Sequence, residues 1–194
     1  LYNPAKEYGT PDDVQNIPHP IIGYMGTINS TRLDGELLYQ IISQRPDYSF
    51  VFTGPEDDGF RQHRIHSLKN AYFTGQKKVD ELPAYITAYD VCINPQMVND
   101  ITDGNYPLKI DEYLAMGKPT VATSTHTMRH IFADHTHLAT NPEEWLSAID
   151  RAVTEADDKE LAKQRIAFAE THSWGHSVKK IYGIIDNFLK EKAT

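Results

Sequence analysis

Short apolar runs alternate with amphipathic stretches along the chain from Pro20 onward. A short apolar run that is closed by Gly, Pro or another turn-forming residue is typical of a buried strand. Five runs fit this description, at residues 21–26, 49–52, 71–73, 90–93 and 119–122, and a sixth strand is expected at 136–139. Residues 1–18 are polar, contain several Pro and Gly, and show no apolar period. They predict a linker or a poorly held terminus before a domain of residues 19–194.

Helices are expected between these strands and after the last of them. Leu37, Leu38, Ile41 and Ile42 repeat at helical spacing behind the capping residue Asp34. Further helices are predicted around residues 60–68, after Asp80, with Pro107 in the first turn, after Asn141, after Asp157-Asp158, and after Ser173 with an apolar stripe from Trp174 to Phe188.

Strands that alternate with helices through short connections indicate a parallel sheet with helices on both faces. The sequence therefore predicts an α/β fold, a Rossmann-like doubly wound parallel sheet. In such sheets ligands bind beyond the carboxyl ends of the strands. Ligand-binding residues are therefore expected on the loops that follow Gly26, Gly54, Gly75, Pro95 and Thr123.

Composition narrows the function classes. The 194 residues carry a formal net charge of -8, which argues against a nucleic-acid partner because the phosphate backbone requires a basic face. The single cysteine, Cys92, fits a reducing, cytoplasmic compartment. The chain contains no run of about 18 apolar residues, so the sequence predicts no membrane-spanning helix. The chain starts with Leu1 rather than Met, and we expect that further sequence precedes it in the natural protein.

The segment 107–119, with the sequence PLKIDEYLAMGKP, carries the most chemical information. On a helix, Glu112 shares a face with apolar residues, and a carboxylate in such a place needs a bonding partner. One interpretation is an i,i+3 pair with Lys109 that braces the helix. The other is a site in which Glu112 accepts hydrogen bonds from the hydroxyls of a ribose. In that site Lys109 and the first-turn N–H groups attract a diphosphate.

This segment resembles the donor-site helix and strand of retaining GT-B glycosyltransferases of the group 1 or family 4 type. The resemblance extends from Pro20 to the end and includes the stretches IGYMG at 22–26, SFVFTGP at 49–55, DELPAY at 80–85 and YDVCINP at 89–95. The form PLK…EYLA is similar to a subgroup that builds bacterial cell-surface polysaccharides. The resemblance implies the C-terminal half of a GT-B architecture, which binds a nucleotide-diphosphate sugar.

The family's site residues transfer to this chain only where its motifs match. Glu112 matches the second glutamate of the family's E-x7-E motif, which holds the ribose. Gly26 and Arg32 match the glycine-then-basic loop that grips the diphosphate, and Gly75 and Gln76 match the loop that edges the base. Lys109 is expected to contact phosphate. The resemblance identifies no catalytic residue in this half.

Two departures from the family pattern concern the sugar. The first glutamate of the motif falls at Gly104, and Asp103, one place away, is the residue that could replace it. After Thr123 the chain has Ser124-Thr125-His126 where the family often has paired glycines.

The resemblance also implies the partners of this chain. A separate N-terminal domain would bind a glycan or a lipid-linked acceptor, and the full protein could then work at the inner face of the membrane. No metal and no cofactor beyond the donor is expected. His126 and His130 are spaced i,i+4 but lack a third ligand at motif spacing, so we expect exposed or capping histidines.

Two alternatives remain open at this stage. A nucleotide-sugar epimerase of GT-B fold shares the donor site. A degenerate, non-catalytic nucleotide-binding module would explain the glycine at position 104.

Overall fold

The computed structural model describes residues 2–100 and 102–192, and for residues 177, 186, 187 and 190–192 it describes the backbone only. Within this part of the chain the strands are β1 (Ile21–Met25), β2 (Ser49–Thr53), β3 (Ala71–Gly75), β4 (Val91–Asn94), β5 (Thr120–Thr123) and β6 (His137–Ala139). The helices are α1 (Gly35–Ser43), α2 (Asp58–Arg61), α3 (Leu82–Ala88), α4 (Leu108–Ala115), α5 (Pro142–Thr154), α6 (Lys159–Thr171) and α7 (Trp174–Lys192).

The six strands form one parallel sheet in the order β3-β2-β1-β4-β5-β6. The chain therefore starts in the middle of the sheet, builds outward to β3, and then returns past β1 to build the other side. This confirms the predicted Rossmann-like doubly wound sheet. All six strands end at one edge, called the carboxyl edge below, and the break in strand order between β1 and β4 lies at its centre.

Most predicted caps are present. The side chain of Asp34 accepts from the Leu37 N–H at 2.9 Å, and that of Asn141 accepts from the Glu144 N–H at 3.0 Å. The helix expected after Asp80 begins later, at Leu82, with Glu81 at its N-cap position.

Two short elements differ from the prediction. The helix expected at residues 60–68 is divided into α2 and a 3-10 turn at Arg64–Ser67, where the His63 ring accepts from the Ile65 N–H. A π-helical turn at Met128–Phe132, which the sequence analysis did not predict, follows β5.

Each face of the sheet carries its own apolar cluster. Alternate strand residues such as Tyr24 and Phe52 pack with α1 and α5, where Trp145 is fully buried. The intervening residues, such as Met25 and Cys92, pack with α3 and α4. This alternation follows from the two-residue period of a strand, and it places α4 on the face that carries Met25.

Residues 2–18 contain no helix or strand, yet they are fastened to the domain, unlike the poorly held terminus that the sequence predicts. Val14 is 1% exposed, and Tyr2 and Ile17 pack against the cluster beneath α3 and α4. The Asp13 carboxylate accepts hydrogen bonds from the Lys77 ammonium at 2.6 Å and from the Tyr85 hydroxyl at 2.7 Å. Proline and glycine content therefore marked a lack of regular structure rather than a lack of contacts.

The last helix has the apolar stripe that its sequence predicts, and the stripe lies in solvent. Its exposed residues are Trp174, Val178, Ile181, Tyr182, Ile184, Ile185, Phe188 and Leu189, and Trp174 is 85% exposed. In the part of the chain that the structure describes, no helix combines the length and the apolar character needed to cross a bilayer.

The difference between the sheet core and α7 can be measured with one substitution in each. Ile149 in α5 is fully buried, whereas Ile185 in α7 is 45% exposed. We expect Ile149→Ala to lower the free energy of unfolding by about 2–5 kcal/mol through lost transfer energy and a cavity. We expect Ile185→Ala to change it by less than about 1 kcal/mol. Urea unfolding of both variants checks this, and equal losses would mean that α7 is packed as tightly as the core.

Candidate functional site

Two glycines bring the ends of β1 and β2 together at the carboxyl edge. Gly26 has a φ of +137° and Gly54 a φ of +147°, a region that favours glycine. A Cβ atom on Gly54 would lie 2.0 Å from the Gly26 carbonyl oxygen, and one on Gly26 would lie 2.9 Å from the Lys109 Nζ. Both positions therefore require glycine, and the absent side chain at Gly26 leaves room for the lysine.

Lys109 is the second residue of α4, and its ammonium lies over the end of β1. Its Nζ donates to the Tyr24 hydroxyl at 2.6 Å and lies 4.1 Å from the centre of the Tyr24 ring. The Tyr24 hydroxyl donates in turn to the Thr27 carbonyl at 3.0 Å. The helix starts at Pro107 without a side-chain cap, so its first N–H groups add partial positive charge at the same end.

The Lys109 ammonium has lost part of its hydration without gaining a carboxylate. Burial lowers the pKa of this group to about 8; the charge of Glu112 opposes the shift, and that of Arg32 adds to it. Among the described residues no acidic side chain forms an ion pair with Lys109. Because the Lys109 ammonium is already partly dehydrated, an anion can bind to it at a smaller cost in lost hydration of the cation.

Glu112 lies three residues further along α4 and is half-buried. The Tyr2 side chain lies near its carboxylate. Burial raises the pKa of the Glu112 carboxyl, while Tyr2 and the charge of Lys109 pull it back down. The i,i+3 ion pair that would merely brace the helix is thus not what Lys109 forms, because its ammonium donates to the Tyr24 hydroxyl instead.

Arg32 is exposed on the loop between β1 and α1. Its backbone is tied to the loop after β4, since the Met97 N–H donates to the Arg32 carbonyl at 2.8 Å. Its charge lowers the pKa of Lys109 and opposes the rise in the pKa of Tyr24, which places the guanidinium close to both. In the described part of the chain it makes no side-chain hydrogen bond, so it is free to bind an anion beside Lys109.

Gly75 and Gln76 lie at the same carboxyl edge but are separated from the other predicted residues. Gly75 ends β3 with a φ of +72°, and Gln76 follows it, both exposed. Two strand spacings separate β3 from β1, or roughly 10 Å at about 4.8 Å each. The structure thus brings Gly26, Arg32, Lys109 and Glu112 together and leaves Gly75 and Gln76 at the far end of the same edge.

The residues considered for the sugar lie elsewhere. Gly104 is exposed, and the Asp103 carboxylate accepts a hydrogen bond from the His126 N–H at 2.7 Å, beside the loop that follows β5. His126 and His130 are exposed, as expected, with ring centres 4.2 Å apart. Residues 2–100 and 102–192 contain no group of three His, Cys, Asp or Glu side chains placed to hold a metal ion.

Sequence reasoning missed two tyrosines. Tyr24 lies inside a quoted strand motif, where it looks like a core residue, and only the fold brings its hydroxyl to Lys109. Tyr2 belongs to a segment that reads as a linker. No local signal could assign either role, because the Lys109–Tyr24 bond joins residues 85 positions apart and Tyr2 lies near Glu112, 110 positions away, only in the folded chain.

The buried charge of Lys109 predicts a specific dependence of stability on pH. The pKa of a lysine is 10.5 in the unfolded chain and about 8 here, so between these values the unfolded state binds the proton that the folded state has lost. The free energy of unfolding of the parent, relative to Lys109→Met, should therefore rise from pH 8 to pH 10.5 and stay level below pH 8. Lys163→Met, which removes one charge from a 74% exposed side chain, corrects for net charge. A flat difference between the parent and Lys109→Met would contradict the shift.

Comparison with known proteins connects this geometry to a family. TuaH of Bacillus subtilis (strain 168), named as a glycosyltransferase of teichuronic acid biosynthesis, is 27% identical over 168 residues. The match covers 83% of this chain and 42% of TuaH, so the chain spans less than half the length of that relative.

Solved structures share the fold. HepE from Anabaena, solved in complex with UDP, superposes with a TM-score of 0.71 at 14% identity, covering 93% of this chain and 54% of HepE. The C-terminal domain of LpcC, a group 1 family glycosyl transferase of Francisella tularensis, superposes with a TM-score of 0.61 at 18% identity, covering 86% of this chain and 93% of that domain. At these identities the likeness shows the fold alone.

The family assignment itself comes from the sequence. The model of the family described as Glycosyl transferases group 1 matches residues 19–155, which is most of the chain and includes the carboxyl edge described above. The chain therefore belongs to the group 1 glycosyltransferases.

Proposed function

We propose that residues 19–194 form the C-terminal, donor-binding domain of a retaining GT-B glycosyltransferase. The observation that carries the proposal is the position of two side chains at the carboxyl edge. A partly dehydrated cation, Lys109, and a half-buried carboxylate, Glu112, lie one helical turn apart without bonding to each other. A nucleotide-diphosphate sugar has the matching groups, an anionic diphosphate next to a ribose diol. The solved complex of HepE with UDP, which has the same fold, supports this ligand class.

The diphosphate belongs at the start of α4 in this proposal. Lys109, Arg32 and the uncapped helix N-terminus supply positive charge, and Gly26 allows the backbone to approach closely. These groups would also stabilise the negative charge that grows on the diphosphate as it leaves the sugar. The chain therefore needs only to hold fixed charges in place for this part of the reaction.

The nucleoside extends from α4 toward β3. Glu112 accepts hydrogen bonds from the ribose hydroxyls, and the backbone at Gly75 and Gln76 edges the base. The gap of roughly 10 Å between the two groups, two strand spacings, is a suitable span for a nucleoside. Main-chain contacts to the base leave the choice of base open.

The acceptor is the remaining substrate. A glycan or lipid-linked acceptor, bound by a separate N-terminal domain, fits a role in cell-surface polysaccharide synthesis, which the name of TuaH supports. A cytoplasmic setting, with the full protein at the inner face of the membrane, belongs to the same proposal. The exposed stripe of α7 would then pack against that N-terminal domain.

The two alternatives predict different assays. An epimerase would convert a nucleotide sugar without any acceptor, and a degenerate module would bind nucleotide without turnover in the full-length protein. The family match favours transfer over both.

Two substitutions on α4 test the site. Glu112→Gln keeps the shape and removes the charge, so affinity for UDP or GDP should fall roughly ten- to a hundredfold, the equivalent of a charged hydrogen bond of about 1.5–3 kcal/mol. Lys109→Met should weaken the nucleoside diphosphates more than the bare nucleosides, because its contact is with phosphate. Isothermal titration calorimetry measures both.

The control for this pair is Glu143→Gln, which makes the same chemical change at an exposed position on α5. It should bind nucleotides as the parent does. If Glu112→Gln also bound every nucleotide with parental affinity, the assignment of the ribose site would be wrong.

The chain alone should fold and bind but not transfer. A GT-B active site lies between two domains, and the acceptor domain is absent from these residues. We expect a cooperative thermal transition together with no transfer of sugar from UDP- or GDP-sugars to added glycan acceptors, as followed by release of the nucleoside diphosphate. Measurable turnover by this chain would refute the two-domain proposal.

A further inference from the structure

The loop proposed to edge the base is fixed on both sides of one exposed residue, Gln76. On the β3 side, the Gly75 carbonyl accepts a hydrogen bond from the Gly54 N–H at 3.0 Å. On the other side, the Lys77 ammonium donates to the Asp13 carboxylate at 2.6 Å. In the part of the chain that the structure describes, the main-chain N–H and C=O of Gln76 have no partner within the protein. A free donor and a free acceptor are thus held at a defined place.

Asp13 can hold Lys77 in place because its own backbone is fixed. It lies in a turn in which the N–H groups of Val14 and Gln15 donate to the Pro11 carbonyl at 2.9 and 3.0 Å. Val14, the next residue, is buried in the apolar cluster that packs with α3 and α4. The Asp13 carboxylate is therefore attached to a fixed part of the domain, although the segment before β1 contains no helix or strand.

The ion pair of Asp13 and Lys77 is partly shielded from water. The Lys77 side chain is 18% exposed, and its Nζ lies 5.2 Å from the centre of the Tyr85 ring, whose hydroxyl donates to the same carboxylate at 2.7 Å. The hydrogen bond to Asp13 raises the pKa of Lys77. Burial alone would raise the pKa of the Asp13 carboxyl, but Lys77 and Tyr85 hold it below its usual value. Both groups are therefore charged at neutral pH and bonded to each other.

A base that bonds to the main chain of Gln76 needs that peptide in one orientation. Gly75, at a φ of +72°, gives the loop more conformational freedom than any other residue type would. A loop that the ligand itself had to order would bind more weakly, because the lost conformational entropy reduces the binding free energy. The bond from Lys77 to Asp13 removes this freedom before the ligand arrives. The start of α4 lies two strand spacings away, or roughly 10 Å, and does not depend on this bond.

We propose that Asp13 is a positioning residue for the base of the nucleotide: through Lys77 it holds the main chain of Gln76 in the orientation that bonds to the base. This inference rests on the proposed function. Asp13 lies before residue 19, where the family match begins, so the match assigns it no role. The segment that the sequence indicates to be a linker thus takes part in nucleotide recognition without touching the nucleotide.

The test compares Asp13→Ala and Lys77→Met with the parent by isothermal titration calorimetry, using UDP, GDP and inorganic pyrophosphate as probes. Each variant removes one side of the ion pair, so each should bind the nucleoside diphosphates roughly three- to tenfold more weakly, because the ligand must now order the loop. Affinity for pyrophosphate should equal that of the parent, since that probe has no base. The two changes alter the net charge in opposite directions, so a loss in both cannot arise from charge alone.

A double variant and a matched control separate this role from a merely structural one. If both side chains act through one bond, Asp13→Ala combined with Lys77→Met should lose no more affinity for UDP or GDP than either single variant does. Tyr85→Phe is the control, because it removes the other side-chain hydrogen bond to the Asp13 carboxylate and leaves the Lys77 bond in place. This control should bind all three probes as the parent does.

The outcomes separate the positioning role from the site itself. Parental affinity of Lys77→Met for UDP and GDP would refute the role of Asp13, even if Asp13→Ala did not fold. Additive losses in the double variant, an equal loss of pyrophosphate binding, or the same loss in Tyr85→Phe would also refute it. Loss of nucleotide binding in Glu112→Gln alongside any of these results would leave the proposed function standing. If the parent bound neither UDP nor GDP, both the function and the positioning role would be overturned.

Discussion

The burial of the Lys109 ammonium is the constraint on which the carboxyl edge depends. A lysine that loses water must be compensated, and here the compensation is a tyrosine hydroxyl and ring rather than a carboxylate. Gly26 provides the space for the side chain, since any Cβ there would meet the Nζ at 2.9 Å. Tyr24, Gly26 and Lys109 thus form one unit, contributed by a strand, its turn and a helix that starts 82 residues after that turn.

This unit gives an acidic chain a local positive site. The net charge is -8, yet Lys109, Arg32 and the start of α4 gather positive charge at the centre of the sheet edge. Net charge governs long-range attraction between molecules, whereas a partly dehydrated cation acts over a few ångströms. An acidic surface is therefore compatible with a site for a diphosphate.

The order of the strands puts these groups where a ligand can reach them. β1 and β4 are neighbours in the sheet although five strands and helices (α1, β2, α2, β3 and α3) separate them in the chain, and the connections after β1 and β4 run in opposite directions away from the edge between them. The helix that follows β4 must begin at this edge because the sheet is parallel. Its first turn then lies beside the end of β1, which is why Lys109 reaches Tyr24.

Local pattern was enough to predict most of the fold. Apolar runs of four or five residues, capping residues such as Asp34 and Asn141, and glycines at the strand ends each act over a few residues, so they can be read directly from the chain. The π-helical turn at Met128–Phe132 was not predicted, because it depends on how the loop after β5 packs against neighbouring elements.

The candidate site shows the same distinction between what local sequence determines and what tertiary packing determines. The sequence by itself determined that Glu112 and Lys109 share a helix end, since three positions on a helix fix their spacing. It could not decide the partner of Lys109, because a side chain 85 positions away becomes a neighbour only after the sheet has formed. The i,i+3 ion pair was one expectation from local geometry, but tertiary packing placed the hydroxyl of a buried tyrosine against the Lys109 ammonium. Only the tertiary structure could decide this choice, because it depends on which groups lose water, and burial is a property of the whole fold.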